Sequence, residues 1–211
     1  MMNGNAGGLE ARKQPRQARS QATVAVILEA TIQVLLAEGL PRLTTIRVAE
    51  RAGVSVGTLY QYFPQKQALL FALLQRHLEK LVCTMEAAAL FVHGQPLAVM
   101  VKHIVSVFMQ VKTENLHESA ALYAVASELD TRSYVRSVEA RNRLALETML
   151  DSASDRRFTD TAGVTFIFMG ALIGPIRLLL EGDPEQQDMD RLADQLELLC
   201  LSYLEQVAVP R

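Results

Sequence analysis

The segment from Leu43 to Phe63 constrains this chain more than any other, because it reads as two short helices joined by a sharp turn. Thr44 or Thr45 offers a hydroxyl N-cap, and Val48, Ala49 and Ala52 set small apolar groups on one face of the first helix. Gly53 suits the left-handed residue that ends a helix, and Ser55 can cap the next one. That next helix carries Val56, Gly57, Thr58, Gln61 and Tyr62, a set too polar and too small for a core, with Leu59 and Phe63 as inward anchors. A short helix held on its apolar side, with small hydrogen-bonding groups outward, has the form that enters a DNA major groove. A helix pair used only for packing has no need to expose Thr, Gln and Tyr beside a glycine.

These residues resemble the TetR family of bacterial transcriptional regulators. The resemblance runs from about Ala22 to Leu70 and is sharpest at Leu43-Thr44-Thr45, Ala49 to Val54, and Gly57-Thr58-Leu59-Tyr60 followed by Tyr62-Phe63 and Lys66. It implies an all-α fold: an N-terminal three-helix DNA-binding head with the helix-turn-helix, and a C-terminal helical domain for ligand binding and dimerisation. It also implies roles. Thr45 bonds a phosphate, and Val56, Gly57 and Thr58 open the recognition helix near base edges. Val56 suits a thymine methyl, Gly57 lets the backbone come close, and Gln61 suits adenine N6 and N7. Tyr60, Tyr62 and Lys66 resemble backbone clamps, although Tyr60 serves equally well as a packing residue. Lys66 opens a helix, where DNA is the expected partner for a cation set against the dipole. Ile46 stands where some family members carry a basic or polar base contact, so that either Arg47 serves instead or the contact is missing.

Charge is divided unevenly. From Met1 to Lys66, eight basic residues face four acidic ones, a net +4, which leaves −6 for the remainder given the formal total of −2. A basic head on an acidic body is the electrostatic footprint of a DNA-binding regulator. At 211 residues, half of them hydrophobic, the chain can bury a sizeable core. Apolar residues recur mostly at three and four, so the fold should be nearly all helix. Cys83 and Cys200 read as small core hydrophobes of a reducing cytosol. Met1 to Leu9 has no apolar core of a secretory signal, and the apolar window Phe166 to Ile176 falls short of the roughly 18 residues of a membrane span, so a cytoplasmic location without a membrane partner is expected.

The expected division is a disordered basic arm at 1–19, a DNA-binding domain at 20–66, and a ligand-binding and dimerisation domain at 67–211. The arm, with Arg12, Lys13, Arg16 and Arg19, either touches phosphates or a minor groove, or is a solvated tail. Helices are expected at about 20–38, 65–90, 97–112, 120–126, 131–150, 159–180 and 184–207, besides the pair in the motif. Thr113 to Glu118 reads as a turn and Asp151 to Arg157 as a loop, and Asp183 with Pro184 reads as a helix start.

In the 159–180 helix, Gly163, Ile167, Gly170, Ala171 and Gly174 share one side, and Thr165, Phe168, Met169, Leu172 and Ile176 share the other. A helix apolar all round must be covered on both sides. The glycine side is expected to meet a second copy of the chain, with Leu196, Leu199 and Tyr203 of the last helix completing a four-helix homodimer interface. Phe168 and Met169, with Met85, Met100, His103, Phe108 and Tyr123, would suit a small apolar or aromatic effector, although Met and Phe at this spacing also serve as plain core. The four histidines lack zinc-hydrolase spacing, and no P-loop, dinucleotide fingerprint or nucleophile elbow occurs, so neither an enzyme nor a cofactor or metal is expected. The expectation is a homodimer on palindromic double-stranded DNA, acting as a repressor that an effector releases. Activation, or regulation without an effector, is the alternative.

Overall fold

The computed structural model describes residues 18–182 and 185–211. Among them are nine α-helices: α1 (Ala18–Glu38), α2 (Thr45–Ala52), α3 (Val56–Tyr62), α4 (Lys66–Phe91), α5 (Leu97–Thr113), α6 (Leu116–Glu128), α7 (Arg132–Asp151), α8 (Thr161–Leu180) and α9 (Gln186–Val207). A 3₁₀ turn, Leu40–Arg42, follows α1, and two short strands, β1 (Arg156–Arg157) and β2 (Val209–Pro210), pair antiparallel. The all-α expectation holds apart from that strand pair. Arg12, Lys13 and Arg16 of the expected arm, and Asp183 with Pro184, lie outside the described residues. α9 starts from a capping box between Glu185 and Asp188. α6 opens one turn earlier than expected, because the Asn115 side chain accepts the Glu118 N–H at 3.1 Å and turns a polar stretch into a helix start.

The chain divides into two compact units. The first runs to His77 and includes Ala120–Thr131; the second comprises Leu78–Ser119 and Arg132–Arg211. This division falls inside α4, whose first turns bury Ala68, Leu69, Leu70, Leu73 and Leu74.

In the first unit, Ile27, Leu28, Val34 and Leu35 of α1 join Leu43, Val48, Leu59 and Phe63 in one core. Lys66 opens α4, and its ammonium donates to the Leu40 carbonyl of the 3₁₀ turn at 2.9 Å.

In the second unit, α9 packs against both α5 and α8, and α7 packs against α8. The turn before α5 is fastened to the segment after α7: the Gly94 N–H donates to Ser152 Oγ at 2.9 Å, and the Leu97 N–H donates to Asp155 Oδ1 at 2.8 Å. β2 then fixes the end of the chain to β1, where the Arg211 guanidinium reaches the Asp151 carbonyl at 2.6 Å. The Arg141 guanidinium of α7 bonds Glu79 at 2.7 Å and Glu86 at 2.8 Å, and it holds the Glu79 carboxyl below the usual carboxylate range. Cys83 lies exposed beside this cluster, contrary to the expectation of a core thiol, because it sits on the polar flank of α4 with Glu79 and Glu86. Cys200 is buried as expected, and burial pushes its thiol up to about 11.

By length and composition both α1 and α8 are apolar enough to cross a membrane. The narrow 166–176 window understates α8, whose 20 residues include one charge, Arg177.

Candidate nucleic-acid interface

The geometry of the helix-turn-helix follows from its caps. Thr44 opens α2, its side chain accepting the Arg47 N–H at 3.3 Å. Gly53 closes α2 with φ +65°, and the pair Gly53 N–H to Glu50 carbonyl and Val54 N–H to Ala49 carbonyl forms a Schellman turn. Two residues later Ser55 caps α3, accepting the Thr58 N–H at 3.0 Å while its hydroxyl lies 2.8 Å from that of Thr58. The backbone therefore reverses within three residues and leaves α3 in a set direction.

Each residue of α3 advances about 100° around the axis. Leu59, Tyr62 and Phe63 fall on one side, and all are buried. Gly57 and Gln61 fall opposite and are exposed, with Val56 and Tyr60 on one flank. An added Cβ at Gly57 would meet only Ser55 Oγ at 3.8 Å, so nothing within the chain requires glycine there. The Tyr60 hydroxyl lies 3.1 Å from Thr45 Oγ1, which joins the start of α2 to the exposed flank of α3.

Three of the expected DNA contacts are placed otherwise. Tyr62 is 9% exposed, because its rotation sets it with the anchors Leu59 and Phe63. The Arg47 guanidinium pairs with Glu38 and donates to the Arg42 carbonyl at 3.2 Å, so it is turned back onto the head. Lys66 is held by the Leu40 carbonyl. Of the others, Gly57, Tyr60 and Gln61 are exposed on α3, Val56 and Thr58 are half-buried on it, and Thr45 of α2 meets Tyr60. Ile46, next to Thr45 at the start of α2, is 56% exposed.

In the second unit α8 buries Val164, Phe168, Met169, Leu172 and Ile176 on its inner side. The other side leaves Phe166 70% and Leu178 74% exposed, with Ile167 between them in rotation. An added Cβ at Gly170 or Gly174 would meet nothing within 4 Å. Gly163 differs from both: a Cβ there would collide with the Asp160 carboxylate that caps α8, so its glycine has a local reason. On α9, Leu198 and Leu199 are exposed, whereas Leu196 is 1% exposed and belongs to the inner stripe with Cys200 and Leu204. Leu196 is therefore core and not part of that outer face; Tyr203 is half-buried.

Of the residues expected to hold an effector, Met85, Met100, Phe108, Phe168 and Met169 are buried in the second unit. His103 turns instead to Phe91, the ring centroids 5.1 Å apart, and Phe91 is itself exposed. Tyr123, half-buried on α6, lies in the other unit. Sequence reasoning missed Lys112, which is 2% exposed, one turn beyond Phe108, with its ammonium 6.0 Å from that ring's centre. Burial pushes its ammonium down to about 8.

Two family models match the chain: bacterial regulatory proteins of the tetR family over residues 27–73, and the tetracyclin repressor-like C-terminal domain over residues 96–204. The HTH-type transcriptional repressor KstR of Mycolicibacterium smegmatis is 44% identical over 64 residues, which are 30% of this chain and 31% of that protein. Among solved structures, a putative TetR-family regulator from Mesorhizobium loti has a TM-score of 0.74 at 15% identity, covering 92% of this chain and 100% of the other. The regulator FadR of Bacillus subtilis, solved in complex with stearoyl-CoA, has a TM-score of 0.68 at 17% identity, covering 85% of this chain and 98% of that one. At such identities the two structures speak for the fold alone.

Proposed function

The chain belongs to the tetR family of bacterial regulatory proteins, and we propose that it is a homodimeric, effector-released repressor acting in the cytoplasm, where its DNA lies. The observation that carries this reading is the outward side of α3. Gly57 and Gln61 stand exposed on a helix whose direction is set by the Gly53 turn and whose opposite side is locked by Leu59, Tyr62 and Phe63. Such a helix is built to be approached from outside. Val56 and Gln61 meet base edges, Gly57 admits the backbone, and the hydroxyls of Thr45, Thr58 and Tyr60 bond phosphates.

A single head of this size binds weakly, and a second copy is the natural cover for the apolar outer side of α8 and α9. Phe166, Ile167, Leu178, Leu198 and Leu199 are exposed there, and Gly170 with Gly174 leaves room for a close helix crossing. Two heads related by a two-fold axis require a palindromic operator. The buried Met and Phe side chains of the second unit support a small apolar or aromatic effector. Effector binding would favour a head spacing that the operator does not match.

Selection of bound duplexes from a random library tests the reading, with sedimentation run on the same preparation. A two-fold symmetric consensus bound by a dimer, with affinity that falls steeply with salt, is expected. Failure to enrich any sequence would sink it.

A further inference from the structure

We propose that Asn142 is the polar recognition point for the effector in the second unit, and that the effector is an apolar molecule whose hydroxyl donates to the Asn142 side-chain oxygen. This rests on the effector reading above and adds to it which group the molecule bears and which residue receives it. Among the described residues two buried side-chain oxygens have no hydrogen-bond partner, Asn142 Oδ1 and Glu147 Oε1, both on α7. Glu147 is answered by charge, since Arg143 Nη1 lies 3.7 Å from that oxygen. Asn142 is a neutral amide and draws no ion pair. A buried carbonyl oxygen without a donor forfeits the bonds that water gives it in the unfolded chain, and natural interiors hold few of them.

Rotation around α7 places this amide. Val138, Leu146 and Met149 lie within about 40° of Asn142, and all three are buried. Asn142 therefore stands in the middle of the apolar stripe of α7, about 100° from Arg141, which meets Glu79 and Glu86 of α4 on the flank. α7 packs against α8 and α5, whose buried side chains include Met100, Phe108, Phe168 and Met169. A buried water makes about three hydrogen bonds, and Val138, Leu146 and Met149 offer it none. A molecule with an apolar body suits those three side chains and needs a single polar partner, which also fixes its orientation. The oxygen requires a donor. A carboxylate brings only acceptors, and an ammonium brings a charge that this stripe does not balance. A hydroxyl brings a neutral donor.

The probes are two matched series: straight-chain alcohols from hexanol to dodecanol, and their methyl ethers, which keep the oxygen as an acceptor and lose the donor. Binding is read by calorimetry and as release of the selected duplex. At least one alcohol should bind the parent about tenfold more tightly than its ether, and Asn142→Ala should bring that ratio close to one. Without a probe, Asn142→Leu should melt above the parent, because it deletes an oxygen that the chain leaves without a donor. Alcohols and ethers that bind the parent alike, or an Asn142→Ala protein that keeps the preference, would overturn the inference while the effector reading stood. So would an Asn142→Leu protein that melts below the parent, since the oxygen would then serve the fold. Absence of binding by both series would remove the two readings together.

Discussion

α3 and α8 both carry glycines on their outer sides where an added side chain would meet almost nothing within the chain, yet the surfaces around those glycines are opposites. Around Gly57 stand Gln61, Thr58 and Tyr60, with one small apolar neighbour in Val56. Around Gly170 and Gly174 stand Phe166, Ile167 and Leu178. The first surface keeps hydrogen-bonding capacity and is stable in water while it waits for a partner that also hydrogen-bonds. The second exposes apolar area and gains by association with another apolar surface. At these two helical sites the open side of the glycine leaves room for a partner, and the neighbouring side chains differ in the chemistry they would offer it.

The largest effect that could break this comparison is expected at α8. Gly170→Leu would overpack a close helix crossing and split the dimer, so that operator affinity falls by about 10²–10⁴-fold with every DNA contact intact. Sedimentation and operator binding measured together would decide it. A Gly170→Leu dimer with undiminished affinity would take this side of α8 out of the interface.

The interior of the second unit can be probed through Lys112 at the end of α5. Its ammonium, ordinarily 10.5, is lowered to about 8 by burial. Below pH about 8 both states hold the proton, and the folded state bears the cost of the buried charge. Between 8 and 10.5 the unfolded chain holds the proton and the folded chain has lost it, so stability rises with pH. The stability of Lys112→Met relative to the parent should therefore be greatest at pH 7 and fall as pH approaches 10.5. Urea melts of both proteins at the two pH values give the difference. A gap independent of pH would reject the linkage.

On α3, Gln61→Ala should lose about 1–3 kcal/mol of discrimination at one operator position if the amide contacts adenine twice. Equal losses on operator and random DNA would remove Gln61 from base reading and weaken the contrast with α8. The smallest effect is expected from Ser55→Ala, which deletes the α3 cap at a cost of about 1 kcal/mol in thermal stability of the head. An unchanged melting curve would mean that the anchors Leu59 and Phe63 hold the helix without it.

The head was legible in the sequence because its determinants are local. Thr44, Gly53 and Ser55 act within four residues of themselves, and the buried side of α3 repeats at helical spacing. What escaped depends on distant partners. Lys66 meets the carbonyl of Leu40, 26 residues away, and Arg47 meets Glu38 across a 3₁₀ turn that periodicity does not register. The body was less legible because an apolar helix carries weak directional information. Leu196 and Leu198 look alike in sequence, yet one is core and the other lies outside. Lys112 and Cys83 went against type for the same reason: the packing of other helices, not their own identity, decided burial. The β1–β2 pair, two residues on each side, is too short to leave an alternating pattern.

The Schellman turn at Gly53 has a consequence for how such a protein can diverge. Turn, cap and anchors together set the course of α3 without help from the exposed positions 57 and 61. Those outward positions carry little of the work of folding, so a duplicated gene can exchange them one at a time and remain a folded protein at each step. New operators are then reachable through a series of single replacements, each exposed to selection for what it binds and not for whether it folds. A scaffold that confines its folding requirements to one side of a helix leaves the other side open to variation.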